Sequence, residues 1–264
     1  MDDAAPSLEE PAREPEAVTV RATGTPAALV LTCEHADHRV PRRYARLFAG
    51  AKGALESHRG WDPGALRLAR LLARRLDAPL LATRWSRLLV ESNRSPTNPH
   101  IWSRFTRELP RDERQSILDR YWRPHREEVE AAIFEAIGRS GRVVHVAVHS
   151  FTPVIDGQAR NADVAFLYDS RRAREAQFAR RWSALLREHA PELRVRFNYP
   201  YRGCTDGLAT WLRRRHPAAR YLGFELEVDQ TLAAAPSWRS VGEALAASLA
   251  EALHPAPRPS RKRP

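Results

Sequence analysis

His35 and His149 each follow an apolar run, ALVLTC before the first and VVHVAV before the second, and Asp62 opens a stretch with helical spacing. Two histidines and a carboxylate, with a coordination position left for water, are the ligand set of a catalytic zinc. In open α/β sheets ligands bind outside the carboxyl ends of the strands, so polar residues directly after apolar runs carry the most weight. Asn93 and Arg94 after LLVES meet that condition, as do Glu225 and Glu227 in the end of YLGFELEV. Each residue also has a plainer reading. A histidine can bond a loop, Asp62 can cap a helix, and Asn93 followed by Ser95 and Pro96 can build a turn. Those readings treat the residues singly and leave unexplained why all of them fall at one edge of the sheet.

Elements that alternate along the chain must hold these side chains. Apolar runs predict strands over 27–33, 79–83, 88–91, 143–148, 162–168, 193–197 and 221–228. Helical spacing marks 62–76, with Asp62 as N-cap and Pro63 at the first helical position, then 112–137, which Pro124 should kink or interrupt, then 171–188 and 236–253. Thr205 or Asp206 is suited to cap a further helix reaching Arg215. Such alternation implies an α/β fold, a three-layer α/β/α arrangement around a mixed, mostly parallel sheet. A single domain over 27–254 is expected between a leader (1–26) rich in Ala, Pro and Glu, read as disordered, and a basic, proline-rich tail (255–264).

The chain of 264 residues is long enough to bury its own core, and its 43% hydrophobic and 28% charged residues suit a globular protein. Cys33 and Cys204 are the only cysteines, which excludes a disulfide framework. The opening MDDAAPSLEEP is acidic where a signal peptide is basic and then apolar, and no apolar run is long enough to span a bilayer. The cytoplasm is the expected compartment, with no membrane partner. A formal charge of +11 would suit a nucleic-acid binder, but all but two of the 43 basic residues are arginines spread through helical stretches among Glu and Ala. Solvated helix faces account for that pattern, and no specific nucleic-acid partner is expected.

The ordered segments CEHADHRVP (33–41), HRGWDPGA (58–65), VESNRSP (90–96), YWRPH (121–125), VHSFTPV (148–154), NYPYRGCTDG (198–207) and GFELEVDQ (223–230) resemble the N-formylglutamate amidohydrolase family. That resemblance implies a zinc carboxypeptidase-like (phosphorylase/hydrolase-like) fold, shared with aspartoacylases. It also implies zinc-dependent cleavage of the amide of a small N-acyl amino acid, with N-formyl-L-glutamate giving formate and L-glutamate as the reference reaction. Two alternatives stand beside it: a carboxypeptidase-like hydrolase of acidic peptides, and a basic nucleic-acid-binding protein on an inactive hydrolase scaffold.

Carried over residue by residue, the resemblance makes His35, Asp62 and His149 the ligands of one zinc per chain. His38 is the alternative third ligand, because the carboxypeptidase relatives use a His-x-x-Glu spacing and His38 stands at its second place. Asn93 and Arg94 match the pair that holds a substrate carboxylate, a task suited to a planar guanidinium fork. Arg202 could hold a second carboxylate or polarise the scissile carbonyl. Glu227 aligns with the family's proton-transferring glutamate, and a period of two puts Glu225 on the same side of the strand. The family often places Arg and then Asp after that glutamate, where this chain has Asp229 and Thr231. His125 in YWRPH carries no assigned role and reads as structural.

Overall fold

The computed structural model describes residues 28–155 and 157–254, so the expected leader and tail lie outside the described residues. In chain order its elements are β1 (Ala28–Cys33), α1 (Lys52–Leu55), α2 (Ala65–Leu76), β2 (Leu80–Ala82), α3 (Arg111–Ile117), α4 (Arg123–Ser140), β3 (Val143–Phe151), β4 (Val154–Ile155), β5 (Gln158–Ala159) and β6 (Val164–Leu167). There follow α5 (Ala173–His189), β7 (Val195–Phe197), α6 (Leu208–Arg215), β8 (Tyr221–Asp229), α7 (Gln230–Ala234) and α8 (Trp238–Leu253).

Six strands form one sheet in the order β2-β1-β3-β8-β6-β7. The first four run parallel, and β6 turns antiparallel against β8 with β7 parallel to it. The central strands are apolar on both faces, as burial between two helical layers requires. Leu29, Leu31, Val144, Val146, Leu222, Phe224 and Leu226 pack with α2, α5 and α8. Val30, Val143 and Tyr221 face Val129 and Ile133 of α4 and Leu208 and Leu212 of α6. Each fully buried Leu or Val of these layers contributes roughly 1.5–3 kcal/mol. The three-layer α/β/α architecture with a mixed, mostly parallel sheet is therefore as the alternation implied. The basic side chains include helix-surface pairs such as Arg123 with Asp119 and Arg139 with Glu135. Among the described residues no helix is long and apolar enough to cross a membrane.

Three local expectations are corrected. Segment 88–91 is a turn and loop. Its apolar Leu89 and Val90 are buried in a separate cluster with Tyr44, Phe48, Ile101, Ile117 and Trp122, so burial there needs no sheet. Asp62 does not cap α2. The N-cap is Gly64 at φ 84, and a Cβ at that position would come within 2.2 Å of the Ala233 methyl. The long helix is interrupted directly before Pro124, by a π turn at Leu118–Trp122, and Pro124 falls in the first turn of α4, where its missing N–H is not needed. Neither Thr205 nor Asp206 caps α6, whose N-cap is Gly207. The Asp206 carboxylate instead accepts bonds from Ser95 and Asn98.

Candidate metal centre

β1 pairs with β2 on one side and β3 on the other, and the chain visits β2 before β3, so the strand order reverses at β1. Crevices open at such points beyond the carboxyl ends of the strands. His35 lies two residues past β1 and His149 near the end of β3, flanking this crevice, and Asp62 reaches it from the turn before α2. Asp62 is held there by its own backbone, whose N–H donates to the His35 carbonyl at 2.9 Å.

His35 Nδ1 is 3.1 Å from Asp62 Oδ2, His149 Nδ1 is 3.0 Å from the same oxygen, and the two Nδ1 atoms are 3.2 Å apart. All three side chains are buried. His35 Nε2 lies 2.5 Å from Glu91 Oε1 and His149 Nε2 lies 3.1 Å from Glu34 Oε2, the second contact off the line of a hydrogen bond. With a carboxylate behind each Nε2, a neutral ring that carries its proton on that nitrogen turns its Nδ1 lone pair inward. Three possible ligand atoms then converge within hydrogen-bond distance of one another, an arrangement that a cation satisfies. Ligand atoms about 2.0–2.1 Å from a tetrahedral zinc stand roughly 3.3 Å apart, close to the observed triangle. The residues present fit the ion.

Electrostatics agree with an anionic pocket. Burial alone would raise Asp62 and Glu91, but His35 and Arg87 more than offset it and both carboxyls sit far below their usual range. Burial likewise opposes ionisation of Glu34, which the His125 and His149 imidazoles outweigh. Burial pushes both His35 and His149 down, and the surrounding carboxylates bring both above the ordinary histidine value. Arg87 ties the group together, donating from Nε to Glu91 Oε2 at 2.8 Å and from NH1 to Asp62 Oδ1 at 3.2 Å.

Glu227 faces His149 in the β3–β8 register. It is buried, its Oε2 has no hydrogen-bond partner, and burial pushes its pKa up to about 8. Two residues earlier Glu225 is only half-buried. Asn93 Oδ1 accepts from the Leu208 N–H at 2.8 Å, which leaves the amide NH2 as the free donor of that side chain. Arg94 is half-buried, and its NH1 donates to the Asp206 carbonyl. A Cβ on Gly207 would lie 3.1 Å from both Asn93 Oδ1 and Glu225 Oε1, so these two side chains border one space.

The family model for N-formylglutamate amidohydrolase matches residues 27–234. The chain belongs to the N-formylglutamate amidohydrolase family. That membership makes it a hydrolase of amide bonds, the class that the ordered motifs implied. The gene product Atu2144 from Agrobacterium tumefaciens shares 32% identity, with a TM-score of 0.71, over 88% of this chain and 93% of its own. An N-formylglutamate amidohydrolase from Ralstonia eutropha JMP134, at 20% identity and a TM-score of 0.67, covers 90% of this chain and 97% of its own and shares the fold. No curated protein matches the chain in sequence.

Within this family frame the structure groups His35, Asp62, His149 and Glu227, with Glu225 and Asn93-Arg94 nearby. His38 is elsewhere, its ring against Trp61 at 5.3 Å. Arg202 is exposed on the loop before α6, its carbonyl accepting from Thr205. Asp229 and Thr231, where the family often carries Arg and Asp, form the N-cap of α7, with Asp229 Oδ1 accepting from the Thr231 N–H at 2.7 Å. Sequence reasoning missed Glu34, Arg87 and Glu91. Glu34 stands beside His35 and Arg87 four residues before Glu91, spacings that alone do not separate them from ordinary loop charges.

Proposed function

We propose that the chain hydrolyses the amide of an N-acyl amino acid with one zinc held by His35, Asp62 and His149, and that N-formyl-L-glutamate is its substrate. The observation that carries this reading is the convergence of three possible ligand atoms beside a buried glutamate whose Oε2 has no hydrogen-bond partner. When bound, zinc supplies a water of lowered pKa and a Lewis acid for the acyl oxygen.

The chain's own residues do the rest. Glu227 accepts the proton of the attacking water at Oε2 and returns it to the departing amine, a role for which its buried oxygen without a hydrogen-bond partner is free. Glu225 is the second candidate for that transfer. Asn93 donates its amide N–H and Arg94 its guanidinium to a substrate carboxylate, which would orient the substrate toward the buried cluster. Arg202, on a loop outside the buried cluster, is left for a second carboxylate that enters from solvent. Two unpaired cysteines, Cys33 and Cys204, favour a reducing compartment such as the cytoplasm.

Protein prepared without chelator should carry about one zinc per chain and release formate from N-formyl-L-glutamate faster than it cleaves the N-acetyl or N-carbamoyl analogues. Absence of bound metal, together with no activation by added zinc, would overturn the metal assignment. Activity confined to another acyl group would move the substrate and leave the site standing.

A further inference from the structure

The segment YWRPH and the arginine after it place three polar side chains, Trp122, His125 and Arg126, at i, i+3 and i+4, one face of the turn that opens α4. That face meets the site at two points. His125 Nε2 lies 3.6 Å from Glu34 Oε1, behind His149. Arg126 NH2 donates to the Ser92 carbonyl at 2.8 Å and to the Arg94 carbonyl at 3.0 Å, on either side of Asn93. Trp122 Nε1 donates to the same Arg94 carbonyl, also at 3.0 Å.

We propose that Trp122 and Arg126 are positioning residues for substrate, holding the 92–94 backbone in the one geometry in which Asn93 and Arg94 take a carboxylate together. This inference rests on the reading of Asn93 and Arg94 as the carboxylate anchor. With two donors on it, the Arg94 carbonyl has both lone pairs used, which fixes the plane of the peptide that follows. From the opposite side Leu208 holds Asn93 Oδ1 and Asp206 holds the Ser95 N–H at 3.0 Å. The anchor is therefore gripped between α4 and the start of α6, while Glu91 accepts from the Asn93 N–H at 3.0 Å and the Arg94 N–H at 3.1 Å.

Arg126 is an expensive residue to keep merely as filling. It is 2% exposed, its Nε and NH1 have no partner, and burial pulls its pKa down to about 10, so it stays charged at neutral pH. Packing alone would be served by an apolar side chain without that desolvation. Its guanidinium instead lies over the Trp122 ring at 4.8 Å and the Trp211 ring at 5.5 Å, which restricts its rotation while NH2 reaches the two carbonyls.

The test compares Arg126→Met, Arg126→Lys, Trp122→Phe and, as a reference, Arg94→Lys. The readouts are KM and kcat on the N-acyl amino acid that the parent hydrolyses best, the inhibition constant of the amino-acid product, and zinc content. Arg126→Met should raise KM and the product's inhibition constant together, roughly tenfold or more, with kcat changed less and zinc retained. Trp122→Phe keeps the ring and loses one N–H, so roughly three- to tenfold is expected, and it carries the test if Arg126→Met does not fold. Arg126→Lys, with charge but no fork, should fall between Arg126→Met and the parent. If Arg94→Lys raises both constants while Trp122→Phe and Arg126→Met leave them within twofold, or act through kcat or zinc loss alone, the positioning role is wrong. If Arg94→Lys itself moves neither constant, the anchor reading fails instead.

Discussion

Glu227→Gln tests the proton-transfer role with two readouts that move in opposite directions. Gln keeps the size of the side chain and removes both the charge and the proton acceptor, so turnover should fall by roughly 10² to 10⁴ while zinc stays bound. Stability should rise. The carboxyl titrates near 8 in the fold against an ordinary 4.5. A raised folded value means that its contribution is fully present below about pH 4.5 and is lost as pH climbs through 8. At about 1.4 kcal/mol per unit, the loss at pH 7 amounts to about 3 kcal/mol in the metal-free wild type, an upper bound because a nearby ion or relaxation would reduce it. Metal-free Glu227→Gln should thus exceed wild type in denaturant midpoint at pH 7 to 8 and match it near pH 4.5, where other titrating groups are common to both proteins. Near-normal turnover would move the base to Glu225. A variant less stable than wild type at both pH values would show that the carboxylate makes a native bond, and would refute the account of a buried, unpartnered acid.

Gly207→Ala places a methyl 3.1 Å from Asn93 Oδ1 and Glu225 Oε1 at an extended φ of −178, so the backbone is unstrained while two site side chains must yield. KM should rise several-fold with little change in melting temperature, read by kinetics and thermal unfolding on the same preparation. Glu91→Gln keeps a hydrogen-bond acceptor for His35 Nε2 but removes the charge shared with Arg87. Zinc affinity should drop by roughly 10- to 100-fold in a chelator competition, and an unchanged affinity would remove Glu91 from the support of His35.

Much of the fold was legible because β1, β3 and β8 are buried on both faces and so read as continuous apolar runs, while α2, α5 and α8 carry a 3.6-residue stripe. The exposed β4–β5 hairpin, two residues to a strand, has too short a pattern to register. Segment 88–91 shows the converse. A run of buried apolar residues is the same string whether a sheet or a satellite cluster covers it. At the site, His35, His149 and Glu227 were visible from their places at strand ends. Asp62 was visible only as an ambiguity, since Asp before Pro at a helix start is also a cap signal, and a left-handed glycine took that position instead. Glu34, Arg87 and Glu91 gained meaning only from contacts made across the fold, such as the 56 residues between His35 and Glu91. The role of Arg126 likewise depends on carbonyls 34 and 32 residues away.

β8 lies between β3 and β6 in the sheet, yet among the six strands it is the last in the chain. As the polypeptide leaves the ribosome, β2-β1-β3 and β6-β7 can each assemble, but both present an open edge until residues 221–229 arrive. Nine consecutive residues of β8 then pair with β3, bringing Glu227 beside His149 in the step that seals the sheet. Closure of the sheet and assembly of the candidate site are thus linked. A chain stopped short of Tyr221 would carry all three candidate ligands and two sticky half-sheets, a species suited to aggregation and not to chemistry.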